Sequence, residues 1–322
     1  LVENGVKCLL AGNIGIPAFD VAERVEPDTV IVFELSSHQL EYMTVSPRTA
    51  VLLNIHEEHL DHYGTMEKYV AAKKHIYLYQ EKDDMFICGA QGLPLPGENH
   101  GRLYTAGEQG ADIWLEHEKG TVHFGGHSYQ IPTGQIKLLG EHNWFDIAVA
   151  YGVCRMNGIT DQGFERGLIG YEPLPHRLQY VGCWGDVKYY DDSISTICNT
   201  TIQAIHSIPD VDTVLVGGMD RGIDYTELME GLMEVSRLKV IFMEASGERI
   251  YREMTERYGE ACRPQRLFLV KNLEAAVELA AQVTSPGRSC VLSPAAASYG
   301  IFKNFEERGE AFQELVKRHK IS

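Results

Sequence analysis

The stretch from residue 29 to residue 77 limits what this chain can fold into more than any other. It holds two short apolar runs, Thr29–Leu35 and Thr49–Ile55, rich in Val, Ile and Leu, and each stops in polar residues. Runs of that length and composition are expected as buried parallel strands of an α/β sheet. Met66–Tyr77 follows, apolar at Tyr69, Val70, Ile76 and Tyr77 and carrying Lys73, the pattern of a helix returning across the sheet. The chemistry lies at the strand ends. The first run delivers Glu34, Ser36 and Ser37; the second delivers Asn54, His56, Glu57, Glu58, His59, Asp61 and His62. Ligands of open α/β sheets collect beyond the carboxyl ends of strands, so neighbouring strands would place Glu34 and the His59 region in one crevice, in outline a metal or phosphate site.

Plainer readings compete. A cluster of Asp, Glu and His after a strand is commonly a solvated loop, yet a carboxylate ending an apolar strand, as Glu34 does, is costly to bury without a cation or donors. Zinc spacing of the H-E-x-x-H kind fails, because position 60 is Leu60. His59-Leu60-Asp61-His62 matches the second half of the H-x-H-x-D-H signature of binuclear metallo-hydrolases, with Glu57 where its first His belongs. A metallo-hydrolase at His59, Asp61 and His62 and a non-catalytic binding protein both stay open on the residues alone.

A chain of 322 residues exceeds one ordinary domain, so two are expected. Residues 1–10 read as a helix tail and a strand, leading into Ala11-Gly12-Asn13-Ile14-Gly15, where glycines permit close backbone approach. Asp84–Ala90 is strand-like, and Asp112–His117, Thr121–Phe124 and Ser128–Ile131 form a small β-meander. A helix over Trp144–Met156 is expected with Asn143 as its N-cap and Gly158 as its stop, and another near Gln162–Gly167. Pro173 and Pro175 fix an extended linker, so the boundary falls at 171–175, giving domains 1–171 and 172–322. From there strand and helix alternate through Val187–Tyr190, Thr213–Val216, Val240–Met243, Leu267–Val270 and Cys290–Leu292 to a last helix at Phe305–Arg318, a second, doubly wound sheet. Met219 spoils a G-x-G-x-x-G reading of the loop Gly217–Gly222.

A formal charge of −16 argues against nucleic acid, whose binding rests on clustered Lys and Arg. Seven cysteines without a C-x-x-C pair suggest a reducing cytosol. No apolar run reaches the ~18 residues of a membrane span, and Leu1–Asp20 lacks a secretory pattern, so a cytoplasmic location is expected.

The strings AGNIGIPA (11–18), FELSSHQL (33–40), LLNIHEEHLDHYG (52–64) and YVAAKKHIY (69–77) resemble, in that order, the central domain of the Mur ligases. Similarity continues through GEHN (140–143), LPHRLQYVG (174–182), DDSIST (191–196), VGGMDRG (216–222), SPAAAS (293–298) and FKNFEERG (302–309), and so covers nearly the whole chain. The resemblance implies a central ATP- and magnesium-binding domain followed by a Rossmann-like domain that binds an amino acid. It further implies ATP-driven amide-bond formation between UDP-N-acetylmuramoyl-L-alanine and D-glutamate by a monomer, through an acyl phosphate attacked by the amine.

By the same resemblance, Glu34 and His59 hold magnesium, and Lys73 is carbamylated so that it presents the hard oxygen ligands magnesium requires. Asn13 lies near the phosphates and metal, and His142 and Asn143 meet the nucleotide; Asp146 stands where many members have Asn. Arg177 borders the phosphates and Asp192 faces the nucleotide. Arg221, Lys in some members, meets the amino acid's side-chain carboxylate, with Thr196, Ser298, Tyr299 and Phe305 around it; Ile194 stands where some have Lys. The family also carries a G-x-x-G-K-[ST] phosphate loop and an amino-terminal UDP-holding domain. No Gly-Lys pair followed by Ser or Thr occurs in this sequence, so it is expected to be the later part of such a ligase, inactive alone.

Overall fold

The computed structural model describes residues 1–13, 16–55, 59–140, 142–259 and 266–318, with only the backbone of Leu60, Asp61 and His142. Ile14, Gly15, His56, Glu57 and Glu58, and the side chains of Asp61 and His142, therefore lie outside the described residues. The chain forms two compact units, one of Leu1–Ile136 with Glu141–Tyr171, the other of Lys137–Gly140 with Glu172–Ser322.

In the first unit β1 (Cys8–Gly12), α1 (Ala18–Val21), β2 (Val30–Glu34), α2 (Ser37–Leu40), β3 (Thr49–Leu52), α3 (Leu60–Tyr63), α4 (Met66–Leu78) and β4 (Met85–Cys88) come first. They are followed by β5 (Arg102–Gly107), β6 (Ile113–Glu116), β7 (Thr121–Phe124), β8 (His127–Gln130), α5 (His142–Met156) and α6 (Asp161–Ile169). One sheet runs in the order β3-β4-β5-β6-β7-β8, parallel as far as β6 and then an antiparallel meander. Local chemistry sets the helix starts: Ser36 and Gln39 form a reciprocal capping box on α2, and the Thr65 hydroxyl caps α4. Tyr77 of α4 then stacks on Phe86 of β4 at 4.3 Å, over a core of Ala50, Leu52 and Cys88.

Three expectations fail here. Among the described residues β2 does not neighbour β3; it pairs only with β1, in parallel, in a two-stranded ribbon, while β3 pairs with β4. Nor is β2 buried, because a ribbon of two strands leaves both faces open: Ile31, Val32 and Phe33 are exposed, and so is Glu34. The desolvation argument for Glu34 therefore lapses. Asn143 is not an N-cap either, since α5 already begins at His142 and Asn143 belongs to its first turn.

The second unit comprises β9 (Gln179–Trp184), β10 (Val187–Asp191), α7 (Cys198–Ser207), β11 (Val211–Val216), α8 (Thr226–Glu234), β12 (Lys239–Met243) and α9 (Glu244–Tyr258). It closes with β13 (Leu267–Val270), α10 (Leu273–Val283), β14 (Ser289–Leu292) and α11 (Phe305–Arg318). Strand order is β13-β12-β11-β14-β10-β9, all parallel except the edge strand β9. Alternate residues of each central strand feed opposite cores. Val214, Val216 and Phe242 pack with Ile205, Leu228 and Ile250 from α7, α8 and α9, whereas Leu215 and Ile241 pack with Val277 and Phe312 from α10 and α11. Helices thus cover both faces, the doubly wound α/β arrangement. Because β14 lies between β10 and β11, the chain leaves that point in two directions and opens a crevice at the strand ends.

Candidate functional site

Functional side chains gather at strand ends in each unit. In the first, β1 and β2 run in register with Gly12 beside Glu34, and the chain turns so that Asn13 follows. Gly12 has φ +137°, and a Cβ there would meet the Glu34 carbonyl oxygen at 2.1 Å, so only glycine allows the strands this close. The Asn13 amide then donates from Nδ2 to Glu34 Oε1 at 3.5 Å.

The ends of β2 and β3 do converge, through a residue that sequence reasoning missed. His38, in α2 after β2, lies with its ring centroid 4.8 Å from that of His59 and 4.6 Å from that of His62. His62 Nε2 stands 3.1 Å from Glu41 Oε2, and His59 adopts φ 55°, uncommon outside glycine. The His59 ring neighbours Tyr69 at 6.2 Å, and the Lys73 ammonium lies 5.0 Å above that same Tyr69 ring. Lys73 and the histidines after β3 are therefore joined across one tyrosine. Among the described residues no three His, Cys, Asp or Glu are already arranged around a metal position. Asn143, in the first turn of α5, is half-buried.

In the second unit the loops after β10, β11 and β14 meet. Met219 bridges Ala297, and Gly218 is so close to the Ala297 carbonyl that a Cβ would approach it to 2.5 Å. Arg221 is exposed and its Nη2 donates to the Thr196 carbonyl at 2.8 Å, so these two expected substrate contacts are neighbours. Ser298 is buried, Tyr299 exposed, and the Phe305 carbonyl accepts from Ser193 Oγ at 2.8 Å. Arg177 is exposed, beside the buried His176.

Asp192 is turned inward: 2% exposed, it accepts from the Leu178 amide at 3.2 Å and from Ser293 Oγ at 2.7 Å. Burial pushes its carboxyl up to about 6, against the pull of Ser195, Ser293, the Leu178 amide and Arg177.

Beneath these loops lies a buried polar network. Arg308 of α11 is fully buried; its Nε donates to Ser193 Oγ, Nη2 to the Ser193 carbonyl and Nη1 to the Ala296 carbonyl, all within 3.0 Å. It ties the loop after β10 to the loop after β14. Burial lowers its guanidinium to about 10. Next to it His176 Nδ1 stands 2.7 Å from Asp191 Oδ2, which also accepts from Gln313 at 2.8 Å, and that hydrogen bond raises the imidazole above its ordinary value. A signal for Arg308 was present in the sequence: it falls on the stripe Phe305, Arg308, Phe312, Val316 that faces the core.

Comparison with known proteins gives this architecture a class. The fold matches the MurF ligase of Thermotoga maritima in complex with ADP, with TM-score 0.67 at 18% identity over 100% of this chain and 75% of that one. It also matches the folylpolyglutamate synthase of Mycobacterium tuberculosis in complex with ADP, with TM-score 0.62 at 15% identity over 92% and 69% of the two chains. The fold is thus one that these ligases share.

Residues 12–154 match the family model of the Mur ligase middle domain. The UDP-N-acetylmuramoylalanine--D-glutamate ligase of Acetivibrio thermocellus is 33% identical over 327 residues, covering 98% of this chain and 69% of that protein. Its counterpart in Halalkalibacterium halodurans is 34% identical over 96% of this chain and 68% of that protein. The chain belongs to the Mur ligase family.

Proposed function

We propose that this protein is the ATP-driven ligase that joins D-glutamate to UDP-N-acetylmuramoyl-L-alanine in cytoplasmic peptidoglycan precursor synthesis, with residues 1–171 serving ATP and magnesium and residues 172–322 the amino acid. The observation that carries the reading is Arg221: an exposed guanidinium at the crevice of a doubly wound sheet, resting on a carbonyl that a carboxylate can displace. Relatives that match nearly the whole chain carry that ligase's name.

The residues of the first unit suit a magnesium nucleotide. Glu34 offers exposed hard oxygen, the Asn13 amide stands on it, and His59 adds a ring nitrogen. Lys73 as an ammonium has no lone pair to give, so it serves a metal only as its carbamate. ATP with magnesium supplies the phosphoryl group that activates the substrate carboxylate. Arg177, exposed, offsets phosphate charge, an electrostatic task in a chain of net charge −16. Arg221 orients the incoming amino acid, with Thr196, Ser298, Tyr299 and Phe305 shaping the space, while His142 and Asn143 serve the nucleotide. Asp192, held inside, fixes the segment that follows the proline linker through the Leu178 amide.

The test is magnesium-dependent ADP release by the protein at its natural length, with UDP-N-acetylmuramoyl-L-alanine and a panel of amino acids. Release should require D-glutamate. A stronger response to another amino acid, or release independent of any, overturns the assignment.

A further inference from the structure

The loop that carries Arg221 is held by a second arginine that lies outside the crevice. Arg249, on α9, places its Nε 2.8 Å from Asp220 Oδ2, off the line of a hydrogen bond, while its Nη2 donates to Asp220 Oδ1 at 3.0 Å. The same Nη2 donates to the Ile223 carbonyl at 2.7 Å. Asp220 Oδ1 in turn accepts from the Gly222 amide at 2.9 Å, so both sides of Arg221 are tied to one carboxylate. Beneath, the guanidinium stacks 4.7 Å from the ring of Tyr225, which is 1% exposed and part of the core. Glu253, one turn along α9, holds Nη1 at 3.3 Å.

An ordinary surface ion pair would look different. Such pairs join two mobile side chains and fix little. Here a planar fork bridges one carboxylate, one main-chain carbonyl and one buried ring. The helix bearing it is anchored by Ile250 and Met254, both fully buried. Residues 220–225 are thereby fastened to a rigid element, and Arg221 projects from the fastened turn. Its own side chain is then aimed by the Thr196 carbonyl.

We propose that Arg249 is a positioning residue, which through Asp220 and the Ile223 carbonyl sets where Arg221 presents its guanidinium and so governs affinity for the carboxylate of the incoming amino acid. The inference rests on the reading of Arg221 given above. Lysine cannot replace Arg249, because an ammonium cannot face both Asp220 oxygens from two nitrogens while a planar group lies on the Tyr225 ring.

The experiment varies D-glutamate at saturating ATP and UDP-N-acetylmuramoyl-L-alanine, using the protein at its natural length. Arg249→Met, which keeps apolar contact with Tyr225, and the milder Asp220→Asn should each raise the KM for D-glutamate about tenfold, with kcat and the KM for ATP within about twofold. Arg249→Lys should fail to restore it. In an Arg221→Ala background, Arg249→Met should add nothing, since it acts only through the missing side chain. Thermal melting of each variant shows whether a loss is unfolding; Asp220→Asn carries the test if Arg249→Met melts early. Two results overturn the clamp: an unchanged D-glutamate KM in Arg249→Met and Asp220→Asn while Arg221→Ala raises it, or additive effects in the double variant. If Arg221→Ala itself leaves that KM unchanged, the reading of Arg221 falls and the clamp falls with it.

Discussion

Asp192 and His176 lie in one buried region of the second unit, and both bind protons more tightly folded than unfolded. The sign follows. A raised carboxyl disfavours folding progressively as pH rises from its ordinary 3.8 to about 6, because the ionised form is the one burial penalises. A raised imidazole contributes stability that is complete below 6.5 and is lost as pH climbs through its higher folded value. The second unit should therefore melt at higher temperature near pH 5 than near pH 8. Asp192→Asn should remove the lower part of that slope and raise stability at pH 8 by at most about 3 kcal/mol, as measured by urea titration at several pH values. Lys73→Ala should abolish ligation with melting unchanged, and added short carboxylates should restore part of the rate; full activity without rescue would remove Lys73 from the mechanism. Arg221→Ala should raise the D-glutamate requirement and spare that for ATP; equal losses would indicate a structural arginine. The placement of Glu34, His59 and Arg221 at or beyond strand ends was legible, because polar groups follow apolar runs there. His38 and Arg249 were not legible, because their partners come from other elements and only packing brings them together.

At the scale of elements, legibility tracked burial. β12 and β14, in the interior of the sheet, are almost wholly apolar and could be read within a residue or two, as could β10 and the edge strand β13 from their aromatic and aliphatic residues. β5 and β9 were missed: Arg102 and Leu103 are exposed in β5, and β9 is an edge strand containing Gly182, so neither shows an apolar run. β2 was read as buried because its composition is that of a central strand, although Ile31, Val32 and Phe33 are exposed. Glycines mark where elements touch. At Gly309 of α11 a Cβ would sit 2.1 Å from His176 Nδ1 and 2.7 Å from Asp191 Oδ2. Gly309→Ala should therefore break the His176–Asp191 contact and cost about 1–3 kcal/mol, read as a lower melting temperature with loss of part of the pH slope described above. An alanine that leaves both unchanged would mean that α11 can shift freely.

The two units of the whole molecule are not consecutive pieces of sequence. Lys137–Gly140 belongs to the second unit although residues on both sides of it belong to the first. Within the second unit Leu139 packs against the core formed by α7, α8 and α9, and Lys137 pairs with Glu172. Leu139→Ala should cost about 1–2 kcal/mol in the second unit alone, seen as faster hydrogen exchange in β11 and β12 with β3 and β4 unaffected. Equal loss in both units would refute that assignment. The prolines at 173 and 175 signal one crossing of the chain, but nothing in the composition of Lys137–Gly140 signals the other two. Anyone grafting the second unit of one such protein onto the first unit of another must therefore transplant two segments, because a chimaera joined at residue 171 alone would keep a four-residue plug shaped for the wrong host.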